Sequence, residues 1–411
     1  MNGENRDVTA VVAVGETGLV PVPEKPLSYW ARVSKKYRTA LVILSFALAV
    51  FLVVFAVLSS YVFSYDSLFY FGRDLKTMLT LADLGDHALY YDYQGDTAMP
   101  IAYRGGMAVA HQGGVDVYDA VGEQLLSVRE ELLFAAPRLA VSRDYLVAYD
   151  FGGNRFVVCN SYDKLYEGTT EAPIMAAFVS DAGYVSLITE SDTYLSEVYL
   201  YDAHFNLRLH SKRTSATVSA VVSENGRTMT IVGATAEGTL VEVYMIGGDI
   251  GDDEPLSSTA LSGFPLAVGY TSGTKLAVLT DTAAHTLSTD GKVYRTFDYE
   301  GGTLQAYHID ENGIAFSLET DRLHGAYRVL VLDKKGRAEC DLARGARVRA
   351  LALSDDRLWL LGESEAVCID RDREETVATT TVSGTALGIV ALHDKLARVI
   401  YTAEARSFAV K

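Results

Sequence analysis

The chain has 411 residues and a net charge of −17 at pH 7, from 36 Lys or Arg against 53 Asp or Glu. Nearly half of its residues are hydrophobic and it carries 34 Gly but only 8 Pro, so most of its length can bury a core and is not disordered. The first 65 residues hold six basic and four acidic side chains; the remaining 30 basic and 49 acidic residues give the rest a net of −19, which argues against nucleic acid as a partner because phosphate binding needs a basic surface.

Residues 1–38 contain Pro21, Pro23 and Pro26 and no strong periodicity, which predicts a flexible tail. The VAVGETG run within it lacks the glycine spacing of a phosphate cradle and reads as loop. From Thr39 to Tyr65 there is no charge, Pro or Gly, and the run over 39–63 is long enough as a helix to cross a hydrocarbon layer of about 30 Å. Arg32, Lys35, Lys36 and Arg38 crowd its N-terminal flank, whereas Asp66, Arg73 and Asp74 follow it, which predicts a cytoplasmic N-terminus. The competing reading is a cleaved signal peptide with a weak site at Val57-Leu58-Ser59. The long leader and long apolar run favour an uncleaved signal anchor. The span has no GxxxG, so signalling from the tail through a dimerising helix has no support in the sequence. Residues 64–87 read as a juxtamembrane tether.

Beyond the tether a degenerate repeat sets the fold. Apolar strands run into a polar turn at Asp119, Asp163, Asp202, Asp290, Asp333 and Asp370, at intervals of 44, 39, 88, 43 and 37 residues, and LVEVYMIGGDI around Tyr244 fills the double interval. Upstream of these turns lie hairpins such as AVSRDYLVAYD and AVVSENGRTMTIVG, whose turn residues tolerate the dihedrals a tight turn demands. Each unit therefore holds four short strands, the size of a β-propeller blade. First strands starting near Ile101, Leu139, Ala176, Ala220, Ala267, Ala306, Ala350 and Gly388 make eight units, and the eighth stops after three strands at Lys411. The apolar run Ala88 to Tyr93 supplies a candidate for the missing outer strand, since closing the ring from both termini removes exposed strand edges. The expectation is an all-β, eight-bladed propeller over 88–411, closed by an N-terminal strand and preceded by one transmembrane helix, with seven blades as the alternative.

The strand-and-turn units at Tyr118-Asp119, Tyr201-Asp202, Leu332-Asp333 and Ile369-Asp370, with Gly122, Gly291 and Gly336 in or after the turns, resemble the WD40, YVTN and quinoprotein-like propeller repeats. The whole layout resembles a family of Gram-positive bacterial membrane proteins of unknown function, in which a short cytoplasmic tail and one helix precede an extracytoplasmic propeller. It is also similar to the propeller lipoproteins of the outer-membrane assembly machinery, which are binding scaffolds, although this chain has no lipobox cysteine. The only tryptophans are Trp30 and Trp359, so the Trp-docking repeats and cofactor site of a quinone enzyme are not carried over. No cofactor is expected.

Chemistry-bearing motifs are sparse. There is no HExxH, GxSxG, Walker, Rossmann or paired-Cys signature. Cys159, Cys340 and Cys368 sit in apolar runs and read as small buried hydrophobes. The histidines, His87, His111, His204, His210, His285, His308, His324 and His393, are scattered, and no metal set is apparent. The repeated aspartates read as turn-fixing acceptors in preference to a cation ring. Asp249, Asp252, Asp253 and Glu254 in GGDIGDDEP form the one local acidic cluster that could take calcium, in an order unlike an EF-hand. Most of the 25 Tyr read as packing between blades, with an exposed carbohydrate- or peptide-binding face as the alternative. The expected function is a non-catalytic scaffold on the membrane surface holding an envelope protein or polymer. The alternative is a small-ligand or polymer-binding sensor, or an enzyme, with its site at the channel mouth, which clustered His, Asp, Glu or Arg from several blades would favour.

Overall fold

The computed structural model describes residues 27–58, 88–91, 99–119, 121–129, 134–247 and 254–410, with the single residues 69, 72 and 75. The chain divides into two units, Met1–Arg73 and Asp74–Lys411. In the first, one helix (α1) covers Leu27–Leu58. Its side chains from Tyr37 through Phe51 are exposed, Leu41, Ile43, Leu44, Phe46 and Phe51 among them. Among the described residues no helix is long and apolar enough to cross a membrane. The described side chains of α1 end at Phe51 and include Lys35, Lys36 and Arg38, while the apolar sequence continues to Leu58 and beyond.

The second unit is a propeller: eight four-stranded antiparallel sheets, seven of them built from consecutive strands. The inner strands are Met99–Tyr103, Pro137–Val141, Ile174–Val179, Ala216–Val222, Pro265–Ser272, Thr303–Asp310, Ala350–Leu353 and Gly388–His393, which number the blades one to eight. Every blade has an even number of strands, so all inner strands run the same way. The turns after the first and third strands gather on one face, and the turns after the second and fourth on the other.

Burial follows strand position. Second and third strands lie between neighbouring blades on both sides, and runs such as Leu146–Asp150, Val185–Thr189 and Ala283–Ser288 are buried throughout. Fourth strands face water on one side and alternate, as in Lys164–Thr169. The core is accordingly eight separate clusters, one in each gap between blades. Trp359 fills the gap between blades seven and eight, fully buried, with Phe408 edge-on at 5.2 Å and its indole N–H donated to Ser354 Oγ at 3.2 Å. The three cysteines are free and buried, and burial pushes their thiols up, Cys159 to about 12 and Cys340 and Cys368 to about 11.

The eighth blade is completed from the N-terminal end. Ala88–Tyr90 pairs antiparallel with Glu404–Ala409, the last strand of the chain, with Leu89 opposite Ala405. Leu89 and Tyr91 enter the cluster between blades eight and one, and the Tyr91 hydroxyl is shared between the carbonyls of Tyr401 and Glu404 at 2.6 and 2.8 Å. Arg398, 1% exposed in the second strand of blade eight, is drawn down in pKa by burial and held up by Asp119 of blade one and by Tyr91.

The repeated turns explain the repeated aspartates. At Asp119, Asp202 and Asp333 the Oδ1 atom accepts the N–H groups two and four residues on, at 2.8 to 3.0 Å. The residue three places on has positive φ: Gly122 at 93° and Gly336 at 77°. In blade three Phe205 takes this conformation at 61°, and its ring stacks on Tyr166 of blade two at 4.3 Å, a contact that offsets the strain of a non-glycine residue there. Asp370 accepts from Arg373 N–H at 3.1 Å and pairs with Arg357. Two expected aspartates sit elsewhere in the motif. In blade two the acceptor is Asn160, which takes the N–H groups of Tyr162 and Asp163, so Asp163 is itself fixed by the turn. In blade five Ser288 holds the first position and Asp290 lies two residues later, accepting from Ser288 and Lys292. Asn160 offers the same short acceptor geometry as Asp, whereas the Ser288 hydroxyl donates to Asp290 and to the Lys292 carbonyl and Asp290 supplies the acceptor.

Two outcomes follow. Deleting 88–91 opens the edge of Glu404–Ala409 and should lower the thermal midpoint and raise aggregation, while Tyr91→Phe alone should cost about 1–3 kcal/mol in urea unfolding; an unchanged midpoint in both would contradict closure. At Asp202, burial raises the carboxyl but is outweighed by the N–H groups of Asn206 and His204, the Asn206 amide and Arg208, which hold it at about 2 against an ordinary 3.8. A lowered folded-state pKa contributes stability above about pH 4 that is lost as pH falls towards 2. The difference in urea midpoint between the wild type and Asp202→Asn should therefore shrink across that window; a constant difference would refute the linkage.

Candidate functional site

Side chains of the inner strands line the central channel, which encloses about 680 Å³ and touches all eight blades. Its wall is apolar, with Ile101, Val141, Val179, Ile309, Leu353 and Val390 each from a different blade. Blade five contributes Gly269, where a Cβ would come within 2.7 Å of Ile309 of blade six, so the close approach of those two blades requires glycine.

Charge is confined to one mouth, where the inner strands turn into the second strands. Arg104, Arg143, Asp181, Glu224, His308, Asp310 and Glu311, from five blades, line it. Neighbouring turns brace each other there: Arg104 pairs with Asp144, the Tyr103 hydroxyl donates to the Asp144 carbonyl at 2.7 Å, and Asp181 accepts the N–H of Arg143 at 2.6 Å. The same brace recurs between blades seven and eight, where Asp394 accepts the N–H of Asp356 at 3.1 Å. Asp310 is taken by the N–H of Asn312 at 2.7 Å and by His308 Nε2 at 3.2 Å. Glu224 and Glu311 accept no hydrogen bond among the described residues, so the mouth presents available carboxylates beneath an apolar wall. That combination suits a cationic group on an apolar body.

The remaining sequence candidates lie apart. His87, Asp249, Asp252 and Asp253 lie outside the described residues, and Glu254 is exposed. Among the described residues no three His, Cys, Asp or Glu side chains converge as metal ligands. His204 contributes its backbone to the Asp202 turn, whereas His210 bonds Glu197 at 2.7 Å and stacks on Tyr199 at 4.3 Å. The His210, Ser191 and Tyr199 bonds outweigh burial and hold Glu197 at about 2. His285 is buried with Thr296 Oγ1 at 3.0 Å, and His324 caps its own turn with Asp321.

The buried pair His111 and Asp116 is the arrangement most like catalytic machinery, at 3.3 Å with both side chains nearly inaccessible. His111 Nδ1 accepts the N–H of Gly113 at 3.1 Å, which leaves the proton of a neutral ring on Nε2, facing the carboxylate. Asp116 also accepts from Gln124 and Arg129 at 2.9 and 3.2 Å; burial raises its pKa, but His111, Ser127 and Arg129 hold it below the ordinary value. The Gly113 N–H occupies Nδ1, Nε2 stands against the Asp116 carboxylate, and the hydroxyl of Ser127 addresses that same carboxylate. The network fixes blade one.

Solved structures share this architecture at low identity. The computationally designed Ika8 protein aligns with a TM-score of 0.60 and 13% identity over 79% of this chain and 100% of that one. The C-terminal WD40 domain of Sif2 gives 0.57 and 11% over 78% and 99%. BamB from Moraxella catarrhalis gives 0.50 and 11% over 79% and 98%. At such identities the likeness shows the propeller fold alone. No curated protein matches the chain in sequence. The pattern of one protein family does match, across residues 90–402 and thus nearly the whole propeller, and the chain belongs to that family of unknown function, DUF5711.

Proposed function

We propose that the chain is a membrane-anchored, non-catalytic scaffold whose propeller stands outside the cytoplasmic membrane and holds an envelope protein or polymer. The observation that carries it is the chemistry of the propeller face opposite the acidic channel mouth. There Phe151, Met175, Leu195, Phe264, Leu266 and Leu387 are exposed on second-to-third-strand turns, on blade-to-blade connections and at the starts of inner strands. Met175 and Leu266 are unpaired bulge residues, inserted where the first and second strands of blades three and five shift register. Bulges re-aim a side chain out of the ladder, and exposed apolar side chains set among charges are what a protein-binding surface offers.

The anchor is supported by the uncharged run from Thr39, which lies on α1 as far as Leu58. In the sequence the run continues uncharged to Tyr65, and a helix rising 1.5 Å per residue over 39–63 would cross a hydrocarbon layer of about 30 Å. The cationic flank Arg32, Lys35, Lys36 and Arg38 favours a cytoplasmic N-terminus. A second reading, a small amine-bearing ligand in the channel, is favoured by Glu224 and Glu311 at its mouth.

Three measurements separate these readings. The full chain should resist alkaline carbonate extraction, and external protease should digest the propeller in intact spheroplasts; release into the supernatant or full protection would overturn the anchored topology. A photo-crosslinker at Phe264 or Leu387 should capture a reproducible partner that one at Lys164 on the rim does not; identical patterns from all three sites would remove the scaffold face. Spermidine should raise the thermal midpoint of the wild type and not of Glu224→Gln/Glu311→Gln if the channel takes amines, and equal responses would eliminate that reading.

A further inference from the structure

Between blades six and seven, on the face that carries the exposed apolar residues, two adjoining hollows of about 490 and 410 Å³ share Tyr327 and Arg347. Strand register builds one wall. Thr303 lies opposite Glu319, Glu319 opposite Tyr327, and Tyr327 opposite Arg344, so a polar row crosses all four strands of blade six on one side of its sheet. The row at the same end of blade seven is Ala350, Leu361, Ala366 and Thr380, and closes by apolar packing. The polar row leaves this end of the gap open beside the apolar cluster that fills the rest of it. Its rim turns on Gly301, Gly325 and Gly345, where an added Cβ would meet nothing within 4 Å.

The groups in the gap are of two kinds. Arg322 and Arg347 line the first hollow, and among the described residues neither has a carboxylate partner. Around them stand acceptors: Glu319, which takes the amide of the bulge residue Gln305 at 3.3 Å and the Tyr327 hydroxyl at 3.4 Å, then Glu363 and Glu365 in the second hollow. Arg344 stands 3.8 Å from Glu365. Free guanidinium forks call for a carboxylate or phosphate. The carboxylate acceptors repel a purely anionic peptide and call for hydroxyl donors on the same ligand.

We propose that this cleft binds an acidic glycan or polyol segment, hydroxyl-rich and bearing a carboxylate or phosphate. The acid sits on Arg322 and Arg347, hydroxyls reach Glu319, Gln305 and Thr303, and a ring lies against Tyr327. The inference rests on the scaffold reading for its setting, but the binding chemistry is independent of anchoring, so either can fail while the other stands.

The test is calorimetric titration of the full chain in detergent micelles with an oligogalacturonate, a polyol phosphate oligomer, a neutral malto-oligosaccharide and a poly-Glu peptide. One or both acidic oligomers should bind, which identifies carboxylate or phosphate as the acid, and the neutral oligomer should bind at least about tenfold more weakly. Arg322→Ala/Arg347→Ala should weaken the acidic oligomer by about tenfold or more at an unchanged thermal midpoint, because both side chains are exposed. Silence of all probes at millimolar concentration, equal affinity for the neutral oligomer or poly-Glu, or an unaffected double variant would overturn the proposal.

Discussion

Blade eight takes its fourth strand from the far end of the chain, and the ring depends on that pairing. A four-stranded blade is buried only where a neighbour covers it, so each of the eight apolar clusters needs the blades on both of its sides. Seven gaps lie between blades consecutive in sequence. The eighth, between Ile400 and Ala405 on one side and Met107 and Val109 on the other, is filled by Leu89 and Tyr91. Without them the cluster would face water and the last strand would present an open edge.

Closure also creates the places where function can reside. Side chains about 40 residues apart in the chain meet at the channel mouth because the inner strands share one direction. The turns there brace one another with carboxylates, Asp181 on the turn of Arg143 and Asp394 on that of Asp356, which holds the mouth rigid and leaves Glu224 and Glu311 available. On the opposite face the register shifts at Met175, Leu266 and Gln305 set those residues outside the ladder. The two faces thus differ in kind, one acidic and braced, the other apolar with an arginine-bearing cleft.

Much of this was legible in the sequence because the physics repeats. An Asp that accepts the N–H groups two and four residues on marks a turn wherever it occurs, and the strands between turns read as short apolar runs because both their faces are buried. The eight inner strands fell within a few residues of where those signals placed them, most beginning slightly earlier, and the N-terminal closing strand begins at Ala88 as expected. Asp163 was misplaced within its turn because Asn160 performs the acceptor's task there, while Asp290 accepts the N–H two residues on, as expected, from a place two residues later than the other blades give their aspartate. The channel mouth and the cleft were not legible, since their members belong to different blades and register, not spacing, unites them. A trace remained: Thr303, Glu319, Tyr327 and Arg344 are polar at strand ends where blade seven has mostly Ala and Leu.

The most direct measurement of the central claim is native-state amide hydrogen exchange over residues 88–91 and 404–409. If the N-terminal strand closes the ring, amides in both segments exchange with the slow, cooperative opening of Leu146–Asp150 and other interior strands. Exchange of 88–91 at the rate of an unstructured chain, with the interior strands still protected, would show a ring that closes without it and would contradict the account.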